Sequence, residues 1–511
     1  MSAVSCTRRL IARGLPLAVA LLLAATSPST AQTPAAAGGN SIVILHSNEP
    51  RSFNPIVDIV KSSLTITNNV IEPLVGIDDK FQPVPGLATA WRRVDPTTWE
   101  FTLRKGVQFQ NGEPFDAAAA VASIIATRDT PGVLQGFFKP VIKDATAKAP
   151  DVLVITTTVS SGEVPAMMTF QYVLPPKYFS EDPKRFGTAP IGTGPFRFDK
   201  WEPGKSVRLV RNDNYWGPKP KLDSLVFRFV PDAQTEISML TSGDADFVEG
   251  FPPELLHSVQ GKPGVHVVRV NDLRKAFVEV NTHVKPFSDP RVREALASAI
   301  DRDAIVKAIF RGDAIATTAI LNSNFPSATE FPSVFKYDPE KSRAILKQVG
   351  PIEPVELYGP VGRYPNDKLV GEAIAGMLTK AGFEVKTHFL ETGAFFTLLT
   401  SQNMPGAHFL TLAPLYPHED FVMRTQFATD GLYRYCGTPE LDAKINAAMS
   451  IADDSARTEA YKQLASFIAT ENRCWVPIYD FVQLYGVADR VQGLKLVPHG
   501  FISYVDVSVK Q

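Results

Sequence analysis

The sequence predicts an α/β fold, and three observations support this. Residues 355–358, 367–380 and 383–390 have the patterns of a strand, a helix and a strand, and such a β-α-β unit requires a parallel sheet. Residues 225–230 alternate large apolar side chains, which is typical of a largely buried strand. Residues 290–309 carry apolar side chains at helical spacing. Strands and helices therefore interleave along the chain, as in α/β proteins.

The helix predicted over Asp367 to Lys380 has an apolar face that we expect to point inward. That face comprises Leu369, Val370, Ala373, Ile374, Met377 and Leu378. A further apolar run, Ala407 to Leu412, predicts the next strand.

Helix starts are marked by capping residues at three points. Asp289 precedes Pro290 at a first helical position, and Asp301 starts a second helix that stops at Gly312. Thr438 precedes a proline and caps a later helix.

The first 31 residues have the layout of a cleavable secretory signal. Arginines are followed by the apolar run Leu15 to Ala25 and then by small residues up to Ala31. That run is shorter than the roughly 20 residues needed to span a bilayer. The only early cysteine, Cys6, precedes it, so we expect no lipid anchor. We therefore predict export to the periplasm as a soluble protein.

Length and charge limit the classes of partner. Removing 31 residues from 511 leaves 480, enough for two or three domains. The formal net charge of −1 is close to neutral, with no basic stripe for nucleic acid and no polybasic membrane patch. We predict no nucleic-acid partner and no membrane-surface binding.

Two cysteines remain beyond the signal, Cys436 and Cys474. In an oxidising compartment they could form a disulfide. Two separate buried thiols are the alternative, because the sequence does not give the distance between their Cα atoms.

Three segments carry motifs in the order found in one family. Residues 85–124 contain PGLA, LRKGV and an NG-PF-D pattern, residues 191–247 contain GTGPF, RNDNYWG, KLDSLVFR and SGDADF, and residues 289–314 contain DPRVREALASAIDRDAIVKAIFRGDA. The chain resembles the family 5 extracytoplasmic solute-binding proteins of ABC importers, the dipeptide, oligopeptide and nickel type.

The resemblance implies a two-lobed periplasmic-binding-protein fold of class II, the large peptide-binding type with an extra subdomain. The strand-forming runs Tyr479 to Val487 and Ile502 to Val509 would complete the first lobe. The implied boundaries are 33–72, 190–270 and 479–511 for lobe I, 73–189 for a subdomain inserted in it, 281–476 for lobe II, and 271–280 and 477–478 for the hinge crossovers.

The resemblance also implies a function in transport. A monomeric periplasmic protein would capture a small solute, by default a peptide or peptide-like compound, and deliver it to ABC permease subunits in the inner membrane without catalysis or a cofactor. One alternative is a non-peptide solute such as an opine, glutathione, an oligosaccharide or a nickel chelate. Another is a secreted hydrolase, although the sequence lacks G-x-S-x-G and H-E-x-x-H motifs.

We expect the ligand near loops that follow strands, because ligands of open α/β sheets bind at the carboxyl ends of strands. The loops are residues 47–54, 359–366 and 413–419. The candidate ligand-binding residues in them are Phe53, Asn54, Arg363, Tyr364, Tyr416 and His418.

Arg363 precedes a helix N-terminus, where it could hold a carboxylate through paired hydrogen bonds, or could simply be a solvated loop arginine. Tyr364 and Tyr416 could form apolar walls with a polar tip, or pack between the lobes.

Peptide-binding relatives place an aspartate in the loop that corresponds to residues 413–419, where it pairs with the amino terminus of the ligand. In an ungapped comparison Leu415 falls near that position, which puts an unmodified dipeptide in doubt, whereas a gap of one to three residues would restore an acid from the run His418 to Asp420. His418 beside Glu419 suggests nickel, but no second histidine lies at ligand spacing, so we predict no metal site. A hydrogen-bonding or pH-sensitive role for His418 remains open.

Overall fold

The computed structural model describes residues 40–510. The predicted signal at residues 1–31 and the first residues of the predicted lobe I therefore lie outside the described residues. Among the helices of residues 40–510, none combines the length and the apolar character needed to cross a bilayer.

Nineteen strands and sixteen α-helices make up the described part of the chain. The strands are β1 Ser41–His46, β2 Gly76–Ile77, β3 Pro83–Val84, β4 Ala88–Asp95, β5 Thr98–Leu103, β6 Ile142–Ala149, β7 Val152–Thr157, β8 Phe196–Glu202, β9 Ser206–Arg211, β10 Ser224–Phe229, β11 Phe247–Val248, β12 Val265–Val280, β13 Ala314–Ala316, β14 Val355–Val361, β15 Val385–Glu391, β16 Ala407–Leu412, β17 Trp475–Ala488, β18 Val491–Gln492 and β19 Ser508–Val509. The helices are α1 Lys61–Thr67, α2 Ala117–Asp129, α3 Val133–Phe138, α4 Val164–Met167, α5 Pro176–Glu181, α6 Pro183–Phe186, α7 Ala233–Ser242, α8 Leu256–Val259, α9 Pro290–Ala299, α10 Arg302–Ile309, α11 Pro339–Val349, α12 Asp367–Lys380, α13 Thr392–Thr400, α14 Glu419–Phe427, α15 Pro439–Ser450 and α16 Asp454–Phe467. Short 3₁₀ and π turns lie at Pro253–Leu255 and Ile468–Asn472.

One mixed sheet of eleven strands connects both halves of the described chain. Its strand order is β15-β14-β16-β12-β17-β11-β1-β10-β9-β8, with β13 paired to β17. β14 pairs in parallel with β15 and β16, and β1 pairs in parallel with β10 and β11. A separate antiparallel sheet, β4-β5-β7-β6, lies within the stretch predicted as a subdomain. The α/β class and the predicted parallel β14-α12-β15 unit are confirmed.

The two long strands β12 and β17 run through both halves of the large sheet. They pair antiparallel from Val265 opposite Ala488 to Glu279 opposite Trp475, with an irregularity between Asn271 and Lys275. The end of β12 also pairs with β16, whereas the end of β17 pairs with β11. The predicted crossovers at 271–280 and 477–478 fall inside these strands, and the predicted lobe boundaries stay a prediction.

The predicted helix starts are confirmed by their capping hydrogen bonds. The Asp289 carboxylate accepts a hydrogen bond from the Arg291 N–H, and the Asp301 carboxylate accepts one from the Ala304 N–H. The Thr438 hydroxyl accepts one from Leu441. Each cap satisfies a backbone donor that has no partner within its helix.

Three details of the sequence prediction are wrong. Leu369 is 49% exposed, because the buried stripe of α12 runs through Val370, Ile374 and Leu378, and Leu369 lies to one side of it. The second strand of the β-α-β unit begins at Val385 rather than at Phe383. Of residues 502–509, only 508–509 are in a strand, which pairs with β18 instead of joining the large sheet.

The GTGPF and NDNYWG motifs pack around one carboxylate. Glu72 accepts hydrogen bonds from the Thr193 hydroxyl (2.7 Å), the Tyr215 hydroxyl (2.7 Å) and the Trp216 indole N–H (2.8 Å). The backbone passes so close here that a Cβ at Gly192 would lie 2.1 Å from the Val70 carbonyl oxygen. A glycine is therefore required at this position for steric reasons.

The sulfur atoms of Cys436 and Cys474 lie 2.08 Å apart, at bonding distance, with their Cα atoms 5.8 Å apart. Both residues are buried, and one oxygen of Glu279 lies 3.3 Å from the Cys436 sulfur. The structure therefore contains a disulfide between Cys436 and Cys474 rather than two separate buried thiols.

Candidate functional site

The loops after β14 and β16 emerge at the same end of the large sheet, the carboxyl ends of these strands, because the two strands are parallel neighbours. They contain four of the six candidate residues. The loop after β14 is shorter than predicted, since the strand continues to Val361 and the turn begins at Gly362.

Asp367 holds the loop that carries Arg363. Its carboxylate accepts hydrogen bonds from the backbone N–H groups of Gly362 (3.2 Å), Arg363 (2.8 Å) and Tyr364 (3.2 Å). A carboxylate at a helix N-terminus is also favoured by the helix dipole. This role of Asp367 was not predicted, although an acidic residue at the start of a helix is a recognisable signal.

The Arg363 guanidinium is exposed and lies over two aromatic rings. Its distances to the ring centroids of Tyr364 and Phe396 are 5.6 and 5.5 Å. Tyr364 is fixed beneath it, because the Tyr364 hydroxyl donates a 3.0 Å hydrogen bond to the Thr411 carbonyl oxygen on β16.

Arg274, in the irregular part of β12, approaches the same ring. Its guanidinium lies 5.5 Å from the Tyr364 ring and 5.6 Å from the Phe481 ring. Within residues 40–510, the side chains of Arg274 and Arg363 make no ion pair and no hydrogen bond. Two guanidinium groups on one tyrosine, without a protein carboxylate, form a site that favours an anion. Sequence patterns gave no signal for Arg274.

A third cation, Lys61 of α1, is partly neutralised by the protein. Its ammonium lies 3.5 Å from a Glu249 carboxylate oxygen, and the other oxygen of Glu249 lies 2.8 Å from the His46 imidazole. Burial alone would lower the pKa of Lys61, but the charges of Tyr485, Glu249 and Asp272 raise it above its ordinary value. Lys61 is therefore charged at neutral pH.

Contacts join the stretch predicted as lobe II both to the stretch predicted as lobe I and to the subdomain predicted as inserted in it. The Asn366 amide donates a 2.9 Å hydrogen bond to Glu254, and the Tyr416 hydroxyl donates a 2.8 Å hydrogen bond to Glu163. The rings of Phe137 and Phe421 also pack with centroids 4.8 Å apart. The described conformation therefore has these stretches in direct contact.

Tyr416 and His418 lie at the Glu163 side of this contact. Tyr416 is buried, and the His418 Nδ1 accepts a 3.2 Å hydrogen bond from the Asp420 N–H at the start of α14. A cavity of about 270 Å³ adjoins His418, Glu419 and Arg457. Tyr416 and His418 thus lie close to each other, and they make different contacts from those of Arg363 and Tyr364.

Phe53 and Asn54 are both buried in the structure. The Phe53 ring packs 5.1 Å from the Trp201 ring, and the Asn54 side chain accepts a 3.0 Å hydrogen bond from the Ile56 N–H. An apolar ring that fills the core and an amide that stabilises its own turn are not available to a solute in this conformation.

Comparison with known proteins shows the family. The family described as "Bacterial extracellular solute-binding proteins, family 5 Middle" matches residues 82–433. Glutathione-binding protein GsiB of Salmonella paratyphi A is 25% identical, over 94% of this chain and 97% of that protein. A probable di/tripeptide-binding protein 5 of Pseudomonas aeruginosa is 28% identical, over 95% of this chain and 98% of that protein.

The fold agrees with solved structures. HbpA2 from Haemophilus parasuis superimposes with a TM-score of 0.81 at 23% identity, covering 92% of this chain and 100% of that chain. The match confirms the two-lobed periplasmic-binding-protein fold. With the family match over residues 82–433, it completes the identification: the chain belongs to the bacterial extracellular solute-binding proteins of family 5, the binding components of ABC importers.

Proposed function

We propose that this protein captures a small peptide-like solute with at least one free carboxylate and delivers it unchanged to an ABC permease. The observation that carries this proposal is the pair of guanidinium groups, Arg274 and Arg363, on the ring of Tyr364. Paired N–H groups of arginine match the geometry of a carboxylate. The protein supplies no anion to them within its described residues, so the solute provides it.

The relatives support the same class of solute. Their names specify glutathione and di- or tripeptides as ligands, and all of these compounds carry free carboxylates. Binding of a nickel chelate, an opine or an oligosaccharide instead is an alternative outcome of the binding test.

Closure of the two lobes would couple binding to delivery. Arg363 follows β14 in the predicted lobe II, and Arg274 lies on the strand that joins the lobes. A shift from 1:99 to 99:1 in favour of the closed form needs about 5.5 kcal/mol of differential binding. Charge-assisted hydrogen bonds contribute about 1.5–3 kcal/mol each, so two arginines and a few backbone groups suffice.

The cellular setting follows from the same role. Solute capture for an importer takes place outside the inner membrane, so we place the protein in the periplasm, exported by the signal predicted at residues 1–31. We propose that it acts as a monomer, with the permease as its only macromolecular partner and without nucleic acid or catalysis.

Isothermal titration calorimetry tests the proposal with glutathione, di- and tripeptides, an opine, an oligosaccharide and a nickel–histidine complex. We expect one carboxylate-bearing class to bind, and Arg363→Ala and Arg274→Ala each to weaken its binding at least tenfold. Arg197→Ala is the matched control, because Arg197 is an exposed arginine on β8. Unchanged affinity in both arginine variants, or chemical conversion of the bound compound, would overturn the proposal.

A further inference from the structure

A second cluster of polar side chains lies apart from the arginine pair, where the residue preceding α4 meets the start of α14. Glu163, His418 and Asp420 each offer one ligand atom, and these three atoms lie within 4.8 Å of one another. Glu163 is far from the other two in sequence, so the sequence, in which no second histidine lies at ligand spacing, led to the expectation of no metal site.

Both carboxylates of the cluster are fully buried, and three of their four oxygens lack a hydrogen-bond partner in the described part of the chain. Neither oxygen of Asp420 accepts a hydrogen bond. One oxygen of Glu163 accepts the Tyr416 hydroxyl, but the other has no partner. An uncompensated buried charge is strongly destabilising, so these oxygens require a cation or a proton.

The neighbouring arginine does not neutralise them. The Arg457 guanidinium donates to the Ile451 carbonyl oxygen at 3.0 Å and is also bound to Asp454. Within residues 40–510, neither carboxylate of the cluster forms an ion pair with a lysine or an arginine, and three of their four oxygens have no hydrogen-bond partner.

The donor set suits a divalent transition-metal ion. Two carboxylates and one imidazole are ligands that Zn²⁺ and Mn²⁺ accept, at metal–ligand distances of about 2.0–2.2 Å. The Nδ1 atom of His418 carries no proton, because it accepts the Asp420 N–H, and it lies 3.4 Å from an Asp420 oxygen. The adjoining cavity of about 270 Å³ leaves room for water as a further ligand.

We propose that Glu163, His418 and Asp420 bind one divalent transition-metal cation, such as Zn²⁺ or Mn²⁺. The metal ion would take the place of the Asp420 N–H as the partner of the His418 Nδ1 atom. Glu163 belongs to the stretch predicted as the subdomain, and the other two residues belong to the predicted lobe II. The ion connects these parts and stabilises their contact. It is bound by the protein and is not the transported solute.

The test uses the full secreted chain without an affinity tag, freed of metal by a chelator and titrated calorimetrically with ZnCl₂ and MnCl₂. We expect one ion per chain, and at least tenfold weaker binding in Asp420→Asn and in Glu163→Gln. Asp430→Asn is the control, since its side chain is exposed beyond the end of the same helix. Circular dichroism and thermal melting confirm that each variant is folded.

Two outcomes would overturn the proposal. One is the absence of saturable binding of either ion; the other is binding that persists unchanged in both variants. The titration contains no solute, so its outcome is separate from that of the arginine experiment. Arg363→Ala should leave the affinity for Zn²⁺ unchanged, and an anomalous difference map of Zn²⁺-soaked crystals should place the ion between Glu163 and α14.

Discussion

A buried ion pair joins the two strands that run through both halves of the sheet. The Lys275 ammonium on β12 lies 2.8 Å from an Asp480 carboxylate oxygen on β17, with side chains 4% and 0% exposed. The second oxygen of Asp480 accepts a 2.9 Å hydrogen bond from the Ser323 N–H. Asp480→Asn keeps the shape of the side chain but leaves the Lys275 charge buried without a partner.

We expect Asp480→Asn to lower the free energy of unfolding by about 3–5 kcal/mol, the usual cost of breaking a buried pair on one side. Unfolding entropy is roughly 2.1 cal/mol/K per residue, or about 1 kcal/mol/K for a chain of this size, so the melting temperature should fall by about 3–5 °C. The double variant Lys275→Met with Asp480→Leu removes both charges and should lie within about 1–2 kcal/mol of the parent protein.

Urea unfolding and thermal melting of Asp480→Asn, of the single variants Lys275→Met and Asp480→Leu, and of the double variant that combines these two provide the measurement. Glu372→Gln is the control, because Glu372 forms an exposed pair with Lys368 that should contribute less than about 0.5 kcal/mol. The reasoning fails if Asp480→Asn costs less than about 1 kcal/mol, or if the double variant is destabilised by the sum of the two single changes.

Two further predictions concern the buried groups around Glu279. The disulfide joins positions 38 residues apart, which corresponds to about 4 kcal/mol of chain entropy, so Cys436→Ser with Cys474→Ser should lower the melting temperature by about 4 °C. Reductant should not lower the melting temperature of this double variant further, and a variant that melts with the parent protein would contradict the estimate. Burial raises the pKa of Glu279 well above its usual range, so the folded state retains a proton that the unfolded chain releases, and stability falls as the pH rises above about 4.5. Glu279→Gln should therefore stabilise the protein in urea unfolding at pH 8 and much less at pH 4.5; an equal effect at both pH values would refute the protonated state.

Much of the fold could be predicted because its signals are local. The bounds of α12 and β16 agree with the predicted ranges, since apolar periodicity and capping residues mark them within a few positions. The prediction that Leu369 points inward was wrong, because a helical pattern with many apolar residues leaves the centre of the buried stripe ambiguous by one position. The prediction of a strand over residues 502–509 was wrong for most of this segment, because strand-forming residues still need a sheet edge with which to pair.

The candidate site was predictable only where it depends on loops at strand ends. Arg363 and Tyr364 follow β14, and the rule that ligands bind at such ends located them. Arg274 lies inside a long strand, and Glu163 reaches its neighbours only through tertiary contacts, so neither has a local signal. Phe53 is buried in the described conformation, because a loop position near a strand end can still direct an apolar side chain into the core.

The two charged clusters have opposite sign, and neither is neutralised by the protein in the described residues. Arg274 and Arg363 lack an anion, whereas Glu163 and Asp420 lack a cation. Both clusters include residues near the contact between the predicted lobes, so closing an empty protein would leave the guanidinium pair without an anion and would bury the two carboxylates without a cation. An anionic solute offsets the first cost and a divalent cation the second. We therefore expect the empty protein to favour the open form, which would let a permease distinguish loaded from empty protein by shape.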